Sequence, residues 1–450
     1  QSKRPMESQE TAVDLLVHPR WVLPMAPATA VLEDHSVAVS GGVLRRVLPR
    51  AEAHGIAARE VIELPQHALL PGLVNAHGHA AMSLLRGYAD DLPLMPWLQE
   101  HIWPAETRFV DEPFIRDGVR LAILEMLTRG TTTCSDMYFF PEIAAREFLG
   151  AGMRCQLAFP VLDVATAWGS GPDDYLAKGL ALHDALRHED RATVVFGPHA
   201  PYTVSEPNLA RVATLAAELD LPLQIHLHET AAEVLQAVEA KGERPLATLH
   251  RLGLLGPRTQ CVHMTDLGAA DMDLLVATGA QVVHCPQSNM KLASGACPVP
   301  RLLAAGVNVA LGTDSAASNN GLNLFGEMRC AALLAKLTSG DASALPAAAA
   351  LELATLGGAR ALGLEQLIGS LEAGKQADMI AVDLSGAGVQ PVYNPLSALV
   401  YACSGSEVTH SWVAGRALLA DGSATTIDSR AVLARGDRWR ARIAGAEETP

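Results

Sequence analysis

The chain has 450 residues, about half of them apolar, which is enough to bury a large core and by length suggests two or three domains. Thirty-four basic residues against forty-nine acidic ones give a net charge of -15, spread rather than blocky, which argues against a nucleic-acid or anionic-membrane partner and favours a small-molecule ligand. The seven cysteines are scattered without a Cys-x-x-Cys pair, Gln1–Glu10 has no apolar core for a signal peptide, and no apolar run could span a bilayer, so buried thiols and a cytoplasmic location are expected.

Residues 11–66 open in β style, with short alternating segments at Val37-Ala-Val39 and Val43-Leu-Arg-Arg-Val47 around a Gly41-Gly42 turn. From about residue 68 to 315 one unit repeats: a short apolar strand, a turn, then an Ala/Leu-rich helical stretch. Eight strands are predicted, at Ala68–Asn75, Thr131–Met137, Met153–Leu162, Thr193–Pro198, Leu223–Leu227, Gln260–His263, Gln281–Cys285 and Asn308–Gly312. Such alternation implies a parallel β/α architecture, and eight strands close a barrel. Residues 369–425 resume the β style in Ala377-Asp-Met-Ile-Ala-Val382 and Trp412-Val-Ala-Gly-Arg416. The expected fold is therefore α/β: a (β/α)8 TIM barrel over 67–367, flanked by a small composite β-sandwich made from 1–66 and 368–450.

The first predicted strand runs into His77-Gly-His79, and on a strand this spacing puts both imidazoles on one face, within reach of a single cation. In a barrel of this kind active-site groups sit at the C-terminal strand ends. Other candidate ligands fall there: His226 and His228 on the fifth strand in Ile225-His-Leu-His-Glu229, His263 on the sixth, His284 on the seventh and Asp314 after the eighth. His77, His79, His226 and Asp314 would offer imidazole nitrogen and carboxylate oxygen to one divalent metal, zinc first and iron as an alternative. No lysine at the fourth strand is placed to bridge two metals. A metal so held brings the pKa of water towards about 7.

Glu229, three residues after His226, is placed to shuttle a proton; without the histidines it would read as a first-turn carboxylate favoured by the helix dipole. His263 is placed to stabilise the attacking oxygen or polarise the substrate, while His228 and His284 read as buried structural residues. No dinucleotide or phosphate loop, no Gly-x-Ser-x-Gly elbow and no His-Glu-x-x-His appears.

Pro71-Gly72, His77-Gly-His79, His226-x-x-Glu229, Cys261-Val-His263 and Gly312-Thr-Asp314 together resemble the amidohydrolase superfamily, in its aminohydrolase and chlorohydrolase branch. Leu85-Arg-Gly-Tyr88, Trp103-Pro-Ala-Glu106, Gly197-Pro-His-Ala-Pro-Tyr202 and Ala317-Ser-Asn-Asn-Gly-Leu-Asn323 resemble the 5-methylthioadenosine/S-adenosylhomocysteine deaminases. The resemblance implies that Glu106 accepts hydrogen bonds from the ribose hydroxyls, that His199 contacts the purine, and that Glu229 and Ser318 complete the substrate contacts. It implies addition of water to C6 of the adenine ring, with Glu229 passing a proton to N1, His263 holding the attacking oxygen, and Asp314 helping a proton to the departing amino group.

Relatives that take S-adenosylhomocysteine hold its carboxylate with arginines after the third strand, whereas residues 155–177 here contain no Lys or Arg. A buried carboxylate without a cation is costly, so 5'-methylthioadenosine is the expected substrate, with S-adenosylhomocysteine or adenosine poorer. Action on another ring such as guanine or an s-triazine, or chlorohydrolysis, is the alternative; a non-catalytic scaffold would be expected to have lost ligands that are all present. A homo-oligomer is the family expectation.

Overall fold

The structure, a computed structural model, describes residues 12–27 and 29–447; the expected sandwich segments also take in 1–11, 28 and 448–450, which lie outside the described residues, as does most of the N-terminal stretch read for a signal peptide. Among the described residues no helix is long and apolar enough to cross a membrane.

Eight strands, β1 (Leu73–Gly78), β2 (Thr131–Asp136), β3 (Arg154–Val161), β4 (Ala192–Pro198), β5 (Leu223–Leu227), β6 (Thr259–His263), β7 (Gln281–His284) and β8 (Val309–Leu311), pair in consecutive order. Every pairing is parallel, as strand-helix-strand connections require. Closure is made just past the strand ends, where Asp314 N donates to His77 O at 3.0 Å and Gly78 bridges Asp314. Gly312 permits that approach, because a Cβ there would lie 2.9 Å from His77 Cβ.

The β-rich ends join in one continuous nine-stranded sheet, with Val13–Val22, Leu32–Glu33, His35–Ser40, Val43–Pro49 and Ala58–Pro71 from the N-terminal side and Met379–Asp383, Val408–Val413, Arg416–Ala420 and Ser423–Ala424 from the C-terminal side. The seam is the antiparallel pairing of Ala58–Pro71 with Met379–Asp383. Leu44 and the 374–375 segment exchange hydrogen bonds at 2.8 Å, so the sheet curls over a small core of Leu15, Val17, Val39, Leu69, Met379 and Trp412. That gives the sandwich its two faces.

One predicted strand is misplaced. The apolar run from Ala68 onward is two strands in two sheets, divided at Gly72: the stretch up to Pro71 pairs in the sandwich, and the barrel strand starts at Leu73. Periodicity cannot show this division, since both strands are buried on both sides at that point. Gly72 N donates to Asp378 O and Leu73 N to Gly130 O, each at 3.0 Å, and a Cβ at Gly72 would lie 2.0 Å from Thr132 Oγ1.

The last helix, Ser429–Glu447, returns to the barrel: Trp439 donates from Nε1 to Asp117 Oδ2 at 2.9 Å and packs edge-on against Phe114 of helix Glu112–Thr128. A second tie between the two sheets is ionic. Arg154, at the start of β3, grips both oxygens of Asp378 at 2.8 and 3.1 Å with both side chains buried, and Asp378 also accepts from Ala414 N. Removing one partner of such a pair strands the other charge. Asp378→Ala is expected to lower unfolding free energy by about 3–5 kcal/mol, read by denaturant unfolding; a change within experimental error would show that the pair does not hold the sandwich to the barrel.

Candidate active site

The end of β1 presents His77 and His79, and the end of β5 presents His226. Their ring centroids are 4.8 to 5.4 Å apart, and their ligating atoms lie within 4.8 Å of one another. Asp314, brought in by barrel closure, has Oδ1 at 3.5 Å from His77 Nε2 and 3.2 Å from His79 Nε2. The turn after His79 is held by Ala80 N donating to Asp136 Oδ1.

Each of the three imidazoles has a carbonyl oxygen at Nδ1: Gln224 Oε1 for His77 at 2.7 Å, Met137 O for His79 at 2.5 Å and His199 O for His226 at 2.6 Å. A carbonyl only accepts, so the ring proton sits on Nδ1 and the Nε2 lone pair faces the centre. Gln224 is itself oriented, its amide nitrogen aimed at Ala76 O and Gln260 Oε1.

His77 Nε2 is buried with no hydrogen-bond partner. Burial lowers the pKa of both His77 and His226, keeping them in the neutral form that ligates. Lone pairs converging on a carboxylate oxygen repel unless a cation lies among them, so this donor set fits one divalent metal, with zinc the natural occupant of three nitrogens and one oxygen.

Asp314 is buried and its other oxygen is occupied. Oδ2 accepts from Ser288 Oγ at 2.6 Å and Ser318 Oγ at 3.1 Å. Ser318, expected among the substrate contacts, thus lies behind Asp314 and is not part of the cavity wall. The reason is the short helix after β8, whose cap, Ser315 Oγ accepting from Ser318 N, turns the hydroxyl inward.

Glu229, His263 and Asp314 form a second group with polar atoms within 4.8 Å of one another. His263 Nε2 is 3.6 Å from Glu229 Oε2. Burial, reinforced by the charges of Asp314 and Glu233, pushes the Glu229 carboxyl well above the usual range. Glu233 holds the backbone there, accepting from Glu229 N at 2.7 Å and His228 N at 3.3 Å. Burial pushes His263 down to about 4, so it is neutral at pH 7.

His228 spends both ring nitrogens elsewhere, Nδ1 on Asp266 O and Nε2 on Leu246 N, and His284 is buried outside the cavity wall. Both are structural, as the sequence suggested.

Above these groups opens a cavity of about 700 Å³, a small-molecule size, lined also by Glu106 and His199. Tyr138 donates to Glu106 Oε1 at 2.7 Å; desolvation nevertheless pushes the Glu106 carboxyl up to about 7. His199 Nδ1 lies 2.8 Å from Thr203 Oγ1, and desolvation lowers its pKa to about 4. The outer wall is apolar, with Leu94, Trp97, Leu98, Ile102, Leu162 and Val164. Among the described residues Lys241 is the one Lys or Arg in the lining, and its ammonium lies 3.4 Å from Glu206.

The sequence did not point to Gln224, Ser288 or Tyr138, whose side chains hydrogen-bond His77, Asp314 and Glu106. Gln224 meets His77 across 147 positions, and lone polar residues on strands or short helices carry no pattern that would mark them.

Comparison with known proteins agrees with this geometry. Residues 68–418 match the amidohydrolase family. The chain is 49% identical to a 5-methylthioadenosine/S-adenosylhomocysteine deaminase of Teredinibacter turnerae, over 96% of this chain and 98% of that one. It is 50% identical to one of Saccharophagus degradans, over 97% and 98%.

Among solved structures it is similar to an adenosine deaminase from Xanthomonas campestris with bound zinc, with a TM-score of 0.95 and 49% identity over 96% of this chain and 99% of that one. Atrazine chlorohydrolase from Arthrobacter aurescens, with zinc, superposes with a TM-score of 0.89 over 94% and 99% of the two chains; at 21% identity that likeness is one of fold alone. The barrel, the donors gathered at its strand ends and these likenesses make the chain a member of the amidohydrolase family.

Proposed function

We propose that the protein is a metal-dependent aminohydrolase of adenine nucleosides that converts 5'-methylthioadenosine to 5'-methylthioinosine and ammonia, with S-adenosylhomocysteine or adenosine as poorer substrates. One observation carries the reading: a single cavity has the three-imidazole and carboxylate cluster with Glu229 at its floor and a carboxylate, Glu106, in its wall. The first group suits hydrolysis at a ring carbon; the second suits a vicinal diol, which needs two acceptors. The names of the relatives support it.

In this reading His77, His79, His226 and Asp314 hold the metal. A divalent ion there supplies Lewis acidity, making water acidic enough, with a pKa of about 7, to ionise at neutral pH. Glu229 takes a proton from the attacking water and delivers it to N1 of the ring as the oxygen adds to C6. Its raised pKa suits a group that must carry a proton and then release it. His263 donates to the oxygen on C6, and Asp314, as a second base, takes the remaining proton of that hydroxyl and passes it to the amino group, which leaves as ammonia as the C6 carbonyl forms.

Glu106 accepts from the ribose hydroxyls with the capacity that Tyr138 leaves free, and His199 borders the purine. Ser318 contributes through Asp314. The apolar outer wall fits a methylthio group. Among the described residues a carboxylate tail would meet one cation, Lys241, already close to Glu206. Arg154, the nearest arginine in sequence to the third-strand loop, is committed to Asp378. We further place the protein in the cytoplasm as a homo-oligomer, a setting that suits its seven unpaired cysteines.

Glu229→Gln is expected to retain one zinc per chain and to lose at least about 10²-fold in kcat; full turnover would remove Glu229 from the proton path. The ratio of kcat/KM for 5'-methylthioadenosine over S-adenosylhomocysteine should exceed about tenfold, roughly 1.4 kcal/mol, and a preference for the latter would refute the argument from the missing cation. Protonating Glu106 removes acceptors, so KM for 5'-methylthioadenosine should fall as pH rises through about 7. Tyr138→Phe removes a bond that favours the ionised form and should move that inflection to higher pH; steady-state KM against pH reads both.

A further inference from the structure

We propose that Asn289 is a positioning residue that holds His263 in its Nε2–H tautomer, so that His263 faces the reacting oxygen as a hydrogen-bond donor and is kept from joining the metal as a fourth imidazole. The inference rests on the hydrolytic reading above and explains how that site sorts its histidines.

His263 is not set apart by distance. Its ring centroid is 6.0 Å from that of His77 and 5.6 Å from that of His226, nearly parallel to the latter. What differs is the group at Nδ1. The three proposed ligands each meet a carbonyl oxygen there, whereas His263 Nδ1 lies 3.0 Å from Asn289 Nδ2, an amide donor. A neutral imidazole carries one proton; a donor at Nδ1 leaves the lone pair on that nitrogen and the proton on Nε2. At the other end of the ring Nε2 faces the Glu229 carboxyl, with Oε2 at 3.6 Å, beyond hydrogen-bond distance.

The backbone of each partner is fixed. Asn289 is buried in helix Pro286–Lys291, its backbone N–H donating to Cys285 O at 3.0 Å and its backbone carbonyl accepting from Ser294 N at 2.8 Å. His263 has φ +86° and Met264 φ +48°, a backbone region that side-chain-bearing residues avoid. It is kept there by Met264 N donating to Leu227 O at 3.1 Å and Thr265 N to His228 O at 2.9 Å. Strain maintained by surrounding bonds marks a ring whose placement matters.

The test is the histidine nitrogen spectrum of the zinc-loaded full chain, labelled with 15N-histidine and read by two-bond 1H–15N correlations, with His263→Asn used to assign the signal. A His263 ring protonated on Nε2 and bare on Nδ1, beside ligand rings protonated on Nδ1, is the expected result. A His263 ring protonated on Nδ1, or bound to zinc, overturns the proposal. Asn289→Asp places an acceptor at Nδ1 and should switch the tautomer, lowering kcat about 100-fold with KM changed less than about threefold. A switched tautomer with wild-type kcat would also overturn it. If Asn289→Asp does not fold, the wild-type spectrum alone decides. If no adenine nucleoside is turned over, the reading of the reaction fails while the tautomer measurement still stands on its own.

Discussion

The peptide hydrogen bond from Asp314 to His77 joins the last strand of the barrel to the first, and the side chains of the same two residues meet in the proposed metal site. Closure and ligand geometry are therefore one event. The approach tolerates no methyl group at Gly312, so the two ends sit at a spacing fixed by backbone contact rather than by side-chain adjustment. The remaining features of the site serve to keep four donors converged on one point.

That convergence is held from beneath. Nδ1 of each proposed ligand imidazole is tied to a carbonyl, and Gln224 draws the His77 bond into a polar layer inside the barrel that also includes Ser135 and Gln260. Such a layer raises the order demanded of the barrel interior, because a half-satisfied network there costs more than an apolar one. It also supplies what a metal site needs, imidazoles already rotated so that Nε2 of each faces one point. Asp314 is treated likewise, with two serine hydroxyls on one oxygen and the other left facing the histidines.

The substrate end follows a different logic. Its wall is mostly apolar, with Glu106 and its Tyr138 partner as a polar handle, so orientation would come from few groups and affinity from area.

The sequence by itself determined the barrel and the proposed metal donors, because strand alternation and strand-end histidines are local patterns: His77-Gly-His79, His226 with Glu229, His263 and Asp314 could each be located from neighbours in the chain. His228 and His284 could be set aside, since neither completes that pattern. The tertiary structure decided what local order cannot carry. It split one apolar run between two sheets at Gly72, moved Ser318 from the cavity wall to the back of Asp314, and brought in Gln224, Tyr138 and Asn289. The physical reason is that a metal donor is recognised by its own chemistry, whereas the group that orients it is recognised only by contact, and those contacts form when the chain closes on itself.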